Sequence, residues 1–252
     1  ITILPIKVLD AYRMGDCWGV AKGINYAVNK GADIINLSLR IGKDGCVMAK
    51  DVLDRAYKHG ITVIASCGNQ NESGCNFPAN YKNVIGVGAV GSDEKRAFYS
   101  NYGGGLSVVA PGGNFNQKSN VPWWKDGIVQ QSFRYLPKNI EFVNAEGTSM
   151  SAPHVAGVAA LLLAQNNNLK PDEVKNIIEC TAKDLGNKNQ YGAGLLDAGK
   201  ALDKESQKKC NKFACVACPE SVSAGQEVSF EPFAYSPNDK FGNRDIASSD
   251  FN

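Results

Sequence analysis

A short polar turn that runs directly into a long apolar stretch constrains this sequence more than any other feature. Residues 147–154 read Gly-Thr-Ser-Met-Ser-Ala-Pro-His, and an apolar run over 155–164 follows at once. The run is apolar on every face, which predicts a helix buried on all sides. The first N–H groups of a helix have no partner within it and lie at the positive end of its dipole. The turn therefore places the Ser149 hydroxyl beside donors that stabilise developing negative charge.

An ordinary helix cap is the main alternative for this motif. Serine and threonine are common N-caps, so Gly-Thr-Ser alone would not separate a cap from a nucleophile. The longer string is more specific, because Pro153 falls in the first helical turn, where its missing N–H costs little. With Met150 and His154 also in register, we interpret Ser149 as a nucleophile.

A second candidate turn follows a predicted strand. Residues 64–69 read Ile-Ala-Ser-Cys-Gly-Asn and lie at the carboxyl end of that strand, where open α/β sheets place their sites. Asn69 can aim its side-chain N–H groups at an oxyanion there. The alternative is a turn residue that tolerates left-handed backbone. The pairing with the Ser149 motif favours the oxyanion role.

Strand-like and helix-like segments alternate along the first two hundred residues. Strands are predicted over residues 3–9, 33–39, 61–65 and 83–90, with a further short one near 127–129. Helices are predicted over residues 18–29, 47–58, the run after Ser149, 171–180 and a last turn ending near 202. This alternation predicts right-handed crossovers and an α/β fold with a mostly parallel sheet. The near-continuous Ile and Val content indicates strands covered on both faces.

Composition changes after residue 203, which predicts a large domain over residues 1–203 and an extension over 204–252. The charged stretch 204–212 is interpreted as a linker, and residues 221–235 as the first strands of an unfinished β domain. Three cysteines in this region, Cys210, Cys215 and Cys218, have spacing that zinc ligands also use. No fourth ligand is evident nearby, so disulfides are favoured and no metal site is assigned.

Charge and cysteine content narrow the classes of function. The chain has 252 residues and a net charge of +2, which gives no electrostatic reason to expect a nucleic acid or membrane partner. No apolar run approaches the roughly 20 residues that span a bilayer. Eight cysteines are typical of a secreted, disulfide-bonded protein, so we expect an extracellular or secretory location. Their connectivity cannot be deduced from sequence.

Together these motifs resemble the subtilisin-like serine proteases, the subtilases. Further landmarks occur in family order over about residues 1–203, at positions 7–9, 35–39, 77–78, 96–100, 109–112 and 191–195. The resemblance implies a three-layer fold that is incomplete at its amino-terminal end, and a monomeric serine endopeptidase acting on polypeptides. Ser149 would be its nucleophile and Asn69 the second oxyanion donor. The family often binds calcium, but no ligand set can be mapped here and no cofactor is required.

The resemblance also implies where a substrate lies. Ser38, Leu39 and Arg40 would form the edge strand that pairs with the substrate backbone. Ser66, Cys67 and Gly68 would form the opposite wall of the S1 pocket. The alternative for both segments is ordinary sheet core and strand ends.

Several positions depart from the family pattern. Arg40 stands where glycine is frequent, which favours acidic substrate side chains, and Asn76 stands at a usual pocket-floor glycine, which narrows S1. Glu146 replaces a commoner asparagine. Cys67 replaces alanine, with Cys75 eight residues on. A disulfide between them and a small buried hydrophobe at Cys67 remain equal alternatives.

The family's general base has no match in this sequence. The chain has two histidines: His59 ends a helix, and His154 matches a structural histidine of the serine helix that runs into the core. Neither lies in a His-Gly-Thr-His pattern, and no Asp-x-Gly follows the first strand. In subtilisin itself, loss of the histidine lowers kcat by about 10⁶. We therefore expect the catalytic Asp and His upstream of residue 1, and this segment alone to be nearly inactive and poorly soluble.

The same sequence features are compatible with two other functions. The first is a non-catalytic subtilase-like protein that binds peptide through the same edge strand or scaffolds a complex. The second is a split enzyme whose missing half is a separate chain.

Overall fold

A parallel sheet forms the centre of the fold. The computed structural model describes residues 1–41, 46–115, 126–133 and 140–214. Within these residues the strands β1 (Ile34–Leu37), β2 (Thr62–Ser66), β3 (Val84–Val90) and β4 (Val108–Pro111) pair in that order, all parallel. Every residue of β2 and β3 is buried, as their continuous apolar sequence predicts.

Helices cover both faces of this sheet. Those described are α1 (Cys17–Asn29), α2 (Val47–Lys58), α3 (Thr148–Gln165), α4 (Pro171–Thr181), α5 (Lys188–Tyr191), α6 (Ala198–Leu202) and α7 (Lys204–Ala214). Val63 and Ala65 of β2 belong to one apolar cluster with α1 and α2, whereas Ile64 belongs to a second cluster with α3 and α4. Successive side chains of a strand face opposite sides, so the predicted three-layer α/β architecture is confirmed.

An antiparallel pair leads the chain into the serine helix. It consists of β5 (Ile128–Phe133) and β6 (Ile140–Ala145), and two residues separate the end of β6 from the start of α3. The short strand predicted near residues 127–129 is therefore confirmed, and it is longer than expected.

The strand predicted over residues 3–9 is wrong. This segment forms no strand, and Ile1 and Ile3 are 89% and 83% exposed. Only the far end of the segment, around Ile6 and Val8, packs against the first cluster. An apolar run indicates that a segment can be buried, but a β-strand also needs a neighbouring strand with which to form hydrogen bonds. Among the described residues, β1 pairs with β2 alone and the segment does not join its other edge.

The linker predicted over residues 204–212 is also wrong, because these residues begin α7. The Asp203 carboxylate accepts hydrogen bonds from the Ser206 N–H and hydroxyl, both at 2.9 Å, which is a typical N-cap. The Gln207 side chain donates to the Ala201 carbonyl and the Gln165 side chain. The first compact unit accordingly runs from Ile1 to Ala214. The β strands predicted for 221–235 lie outside the described residues.

Three disulfides tie described elements together: Cys17–Cys46, Cys67–Cys75 and Cys180–Cys210. The Cys67–Cys75 pair decides the alternative left open for Cys67. Cys210 forms a disulfide with a cysteine of α4, so it does not serve as a zinc ligand. In the described ranges no group of three or more His, Cys, Asp or Glu residues could hold a metal ion.

The serine helix α3 is buried on one side only, against the prediction of burial on all sides. Ser151, Val155 and Leu162 are fully buried, whereas Gly157 is exposed and Leu161 is 43% exposed. The uniformly apolar sequence permits complete burial, but the described residues supply packing partners for one face alone. Of the helices in these ranges, none combines the length and apolar content needed to cross a bilayer.

Candidate active site

Ser149 lies in the first turn of α3, as predicted. The N-cap of this helix is Gly147, which makes no side-chain capping bond, so the alternative that Ser149 is a simple cap is wrong. The φ of Gly147 is 141°, a value that favours glycine. The Ser149 hydroxyl is half-buried and donates to the Ser38 carbonyl at 3.3 Å. Its oxygen therefore lies at the positive end of the α3 dipole, with this one long hydrogen bond among the described residues.

Asn69 is held against the start of the same helix. Its Oδ1 accepts from the Thr148 N–H at 2.9 Å and from the Thr148 hydroxyl at 2.7 Å. The Thr148 oxygen in turn accepts the Gly68 N–H at 3.2 Å. Because both Thr148 donors require an oxygen opposite them, the orientation of the Asn69 amide is determined.

The remaining Asn69 nitrogen is available to a ligand. A Cβ built on Gly147 would lie 3.3 Å from Nδ2, so this nitrogen lies beside the turn before Ser149. Asn69 is exposed, and Nδ2 makes no hydrogen bond within the described part of the chain. The structure thus brings Asn69 and Ser149 together through Thr148. The sequence motif alone does not predict this role of Thr148, although Thr148 lies inside the Gly-Thr-Ser motif.

Gly68 leaves no room for a side chain. Its φ is +114°, and an added Cβ would collide with the side-chain nitrogens of Asn76 and Asn101. Asn76 donates to the Gln70 amide oxygen at 2.7 Å, and Asn101 donates to the Cys67 carbonyl at 3.2 Å. Three carboxamides therefore pack behind the turn that carries Asn69.

The two predicted substrate walls flank the start of α3. On one side, the Ser38 hydroxyl donates to the Ser149 carbonyl at 2.9 Å, Leu39 is half-buried against the first cluster, and Arg40 is exposed. No ion pair to Arg40 is present among the described residues.

On the other side, Ser66 and Cys67 are buried, and Gly68 presents the accessible surface. The Cys67 N–H donates to the Val87 carbonyl at 2.9 Å, and its own carbonyl accepts from Asn76 at 2.8 Å. These bonds and the Cys67–Cys75 disulfide hold the Gly68 turn in place.

Neither histidine serves Ser149. The Nδ1 of His59 lies 2.8 Å from the Arg55 carbonyl, and the Nδ1 of His154 lies 2.8 Å from the Met150 carbonyl. The expectation that His154 runs into the core is wrong, since it lies on the open face of α3. The site therefore holds a serine hydroxyl and hydrogen-bond donors, while both histidines of the chain are bonded within their own helices.

Comparison with known proteins agrees with this geometry. The model of the subtilase family, peptidase S8, matches residues 1–194. The chain belongs to the subtilase family. Subtilisin DY of Bacillus licheniformis is 36% identical over 201 residues, which cover 78% of this chain and 66% of the relative. Alkaline elastase YaB of Bacillus sp. (strain YaB) is 37% identical over 198 residues, covering 79% and 47%.

Solved structures share the fold of this subtilase. A protease of Pseudoalteromonas arctica superposes with a TM-score of 0.67 at 32% identity, covering 75% of this chain and 58% of that one. A lanthipeptide protease gives 0.68 at 28% identity, covering 80% and 69%. The predicted subtilisin-like fold is confirmed. The chain spans just under two thirds of subtilisin DY and about half of the elastase.

Proposed function

We propose that this chain carries the nucleophile and oxyanion hole of a subtilisin-like serine endopeptidase. Ser149 Oγ attacks the scissile carbonyl, its proton passes to a base, and the tetrahedral intermediate expels the amine to leave an acyl-enzyme. Water then releases the acid by the reverse sequence. The observation that carries the proposal is the placement of Ser149 at the α3 start beside the held Asn69 amide.

The oxyanion would be stabilised by two donors of different origin. One is the Asn69 Nδ2 group: Oδ1 accepts both Thr148 bonds, and no described residue accepts a hydrogen bond from Nδ2. The other is the Ser149 backbone N–H, which lies in the first turn of α3, where N–H groups have no carbonyl of a preceding helical turn to bond. Donors that are fixed before the charge develops need no reorganisation during the reaction, which makes this stabilisation effective.

The base would come from outside these 252 residues, together with the carboxylate that orients it. Support comes from the bonding of His59 and His154 within their own helices. A further segment would pack on the side of α3 that carries Leu161 and Gly157, which the described residues leave exposed. Without a base the serine hydroxyl is a weak nucleophile.

The substrate would be a polypeptide that passes between the two walls. Its backbone would pair with Ser38, Leu39 and Arg40, because this segment continues β1, which pairs on one side only in the described sheet. Gly68, held by buried Ser66 and Cys67, would face it from the other side. The exposed Arg40 guanidinium would favour acidic side chains. The disulfides support an oxidising, extracellular compartment, and we expect a monomer that needs no cofactor.

Hydrolysis of a peptide library by the natural gene product tests the proposal. Ser149→Ala should abolish cleavage, whereas Ser151→Ala, a buried serine of the same helix, should retain it. Cleavage that survives Ser149→Ala would refute the assignment. A folded gene product that binds peptides but cleaves none would favour the non-catalytic alternative.

A further inference from the structure

A buried tyrosine outside the predicted site residues contacts the turn that precedes Ser149. Tyr99 follows β3 and packs with Ala89 and Ala97 in a small third cluster, where it is 7% exposed. Its hydroxyl accepts the Gly147 N–H at 2.8 Å. The same hydroxyl lies 2.8 Å from the Gly112 carbonyl and 2.6 Å from the Gly113 carbonyl, to which it can donate. One oxygen therefore joins the loop after β4 to the N-cap of α3.

The N-cap of α3 depends on such outside support. Gly147 has no side chain with which to hold its own turn, and its φ of 141° lies in a region that glycine adopts and other residues rarely do. Its N–H is shared between the Tyr99 hydroxyl and the Gly112 carbonyl, both at 2.8 Å. Thr148, the next residue, is held from the other side by Asn69. The Ser149 backbone is thus fixed by bonds to the two residues before it.

We infer that Tyr99 is a positioning residue for the nucleophile: its hydroxyl sets the Gly147 turn and through it the direction of Ser149 Oγ and N–H. This rests on the proposed function of Ser149. Tyr99 does not reach the substrate cleft, since its ring is buried and its hydroxyl is occupied by backbone groups.

The Tyr99 hydroxyl keeps its proton at neutral pH and beyond. Burial raises the pKa of Tyr99 far above its ordinary value, and the Glu146 and Asp126 carboxylates raise it further, although the Gly147 N–H opposes the shift. The support that Tyr99 gives to Gly147 should therefore not vary with pH between 5 and about 10.

Kinetics of Tyr99→Phe in the natural gene product test the inference. The ring stays, Gly147 keeps the Gly112 carbonyl, and the bridging oxygen is lost. We expect kcat to fall by about tenfold to hundredfold with KM within about twofold, because a small misplacement of a reacting group has this effect. The matched control is Tyr81→Phe, which removes a hydroxyl bonded to Asp54 away from the site and should leave both constants unchanged. An unchanged kcat in Tyr99→Phe overturns the inference.

Amide hydrogen exchange separates this outcome from failure of the proposed function. Exchange at residues 147–149 should accelerate in Tyr99→Phe and not in Tyr81→Phe, whether or not the protein cleaves peptides. A parent protein that cleaves nothing refutes the endopeptidase proposal, and unchanged exchange then refutes the positioning role as well. If Tyr99→Phe does not fold, replacement of Tyr99 by 4-aminophenylalanine decides instead. The amino group of that side chain donates a hydrogen bond but accepts one poorly. We therefore expect kcat to fall and exchange at Gly147 to accelerate, as expected for Tyr99→Phe, and parent-like values overturn the inference.

Discussion

The substitution Thr148→Val probes the hydrogen bonds that link the turn carrying Asn69 to the serine helix α3. The Thr148 hydroxyl donates to Asn69 Oδ1 and accepts the Gly68 N–H, at 2.7 and 3.2 Å, and the side chain is 1% exposed. Valine has nearly the same shape, so the change removes both bonds without opening a cavity. Asn69 keeps the Thr148 backbone N–H as its one remaining partner.

The expected magnitude follows from the groups left without partners. A buried donor that loses its acceptor costs about 1–3 kcal/mol, and Gly68 is half-buried, so we expect the free energy of unfolding to fall by roughly 1–2 kcal/mol. Complete loss of an oxyanion donor lowers kcat by about 10²–10³, a value measured on an asparagine of subtilisin. Because Asn69 is loosened and not removed, kcat should fall by about tenfold.

Urea unfolding and peptide hydrolysis measure the two effects. Thr148→Ser should restore most of both quantities. The matched control is Thr181→Val in α4, whose buried hydroxyl donates only to the Ile177 carbonyl and so leaves no N–H stranded. Its cost should stay near or below 1 kcal/mol, with kcat unchanged. A Thr148→Val protein with parental kcat would refute the reasoning that Thr148 holds the Asn69 donor.

Three further predictions concern specificity and stability. Arg40→Gln should lower kcat/KM for acidic peptides relative to matched neutral ones by at most about fivefold, because an exposed charge pair contributes no more than about 1 kcal/mol; an unchanged ratio argues against a role at the cleft rim. Replacing Cys180 and Cys210 together by serine should lower the free energy of unfolding by roughly 3–4 kcal/mol, since the disulfide closes a separation of 30 residues; a loss below about 1 kcal/mol in urea contradicts this. Asp197 caps α6, and the Lys200 N–H lowers the pKa of its carboxyl, so Asp197→Ala should cost about 1 kcal/mol at neutral pH. Because its pKa is lower in the folded than in the unfolded state, the ionised Asp197 carboxylate stabilises the fold above about pH 4, and this stabilisation is lost as the pH falls through the folded value. The difference in the free energy of unfolding between the parent and Asp197→Ala should therefore shrink in acid. A difference that grows in acid contradicts the assignment.

Local sequence patterns anticipated most of the α/β layers. The bounds of α2, Val47–Lys58, match the prediction because a helical apolar pattern ends at His59-Gly60, a strong stop signal. The strands β2 and β3 were also anticipated, since their apolar runs are short and bounded by turn residues.

Long-range pairing explains what the sequence could not predict. Residues 3–9 carry an apolar strand pattern, but no local signal tells whether a partner strand lies alongside. The charged residues of α7 are typical of a linker, and only the folded chain shows that another face of this helix packs against α4 and α6. In the site, Ser149 and Asn69 were recognised from their motifs, whereas the bonds from Thr148 and Tyr99 join residues that are 79 and 48 positions apart. Such bonds depend on the folded chain and have no periodicity to reveal them.

The central claim is that Ser149 is an activated nucleophile in the complete protein, and covalent labelling tests it most directly. The natural gene product should be treated with a fluorophosphonate, digested, and the adduct located by mass spectrometry. We predict a single adduct on Ser149 that is lost in Ser149→Ala and retained in Ser151→Ala. An adduct on a different serine, in a protein that cleaves peptides, would contradict the account.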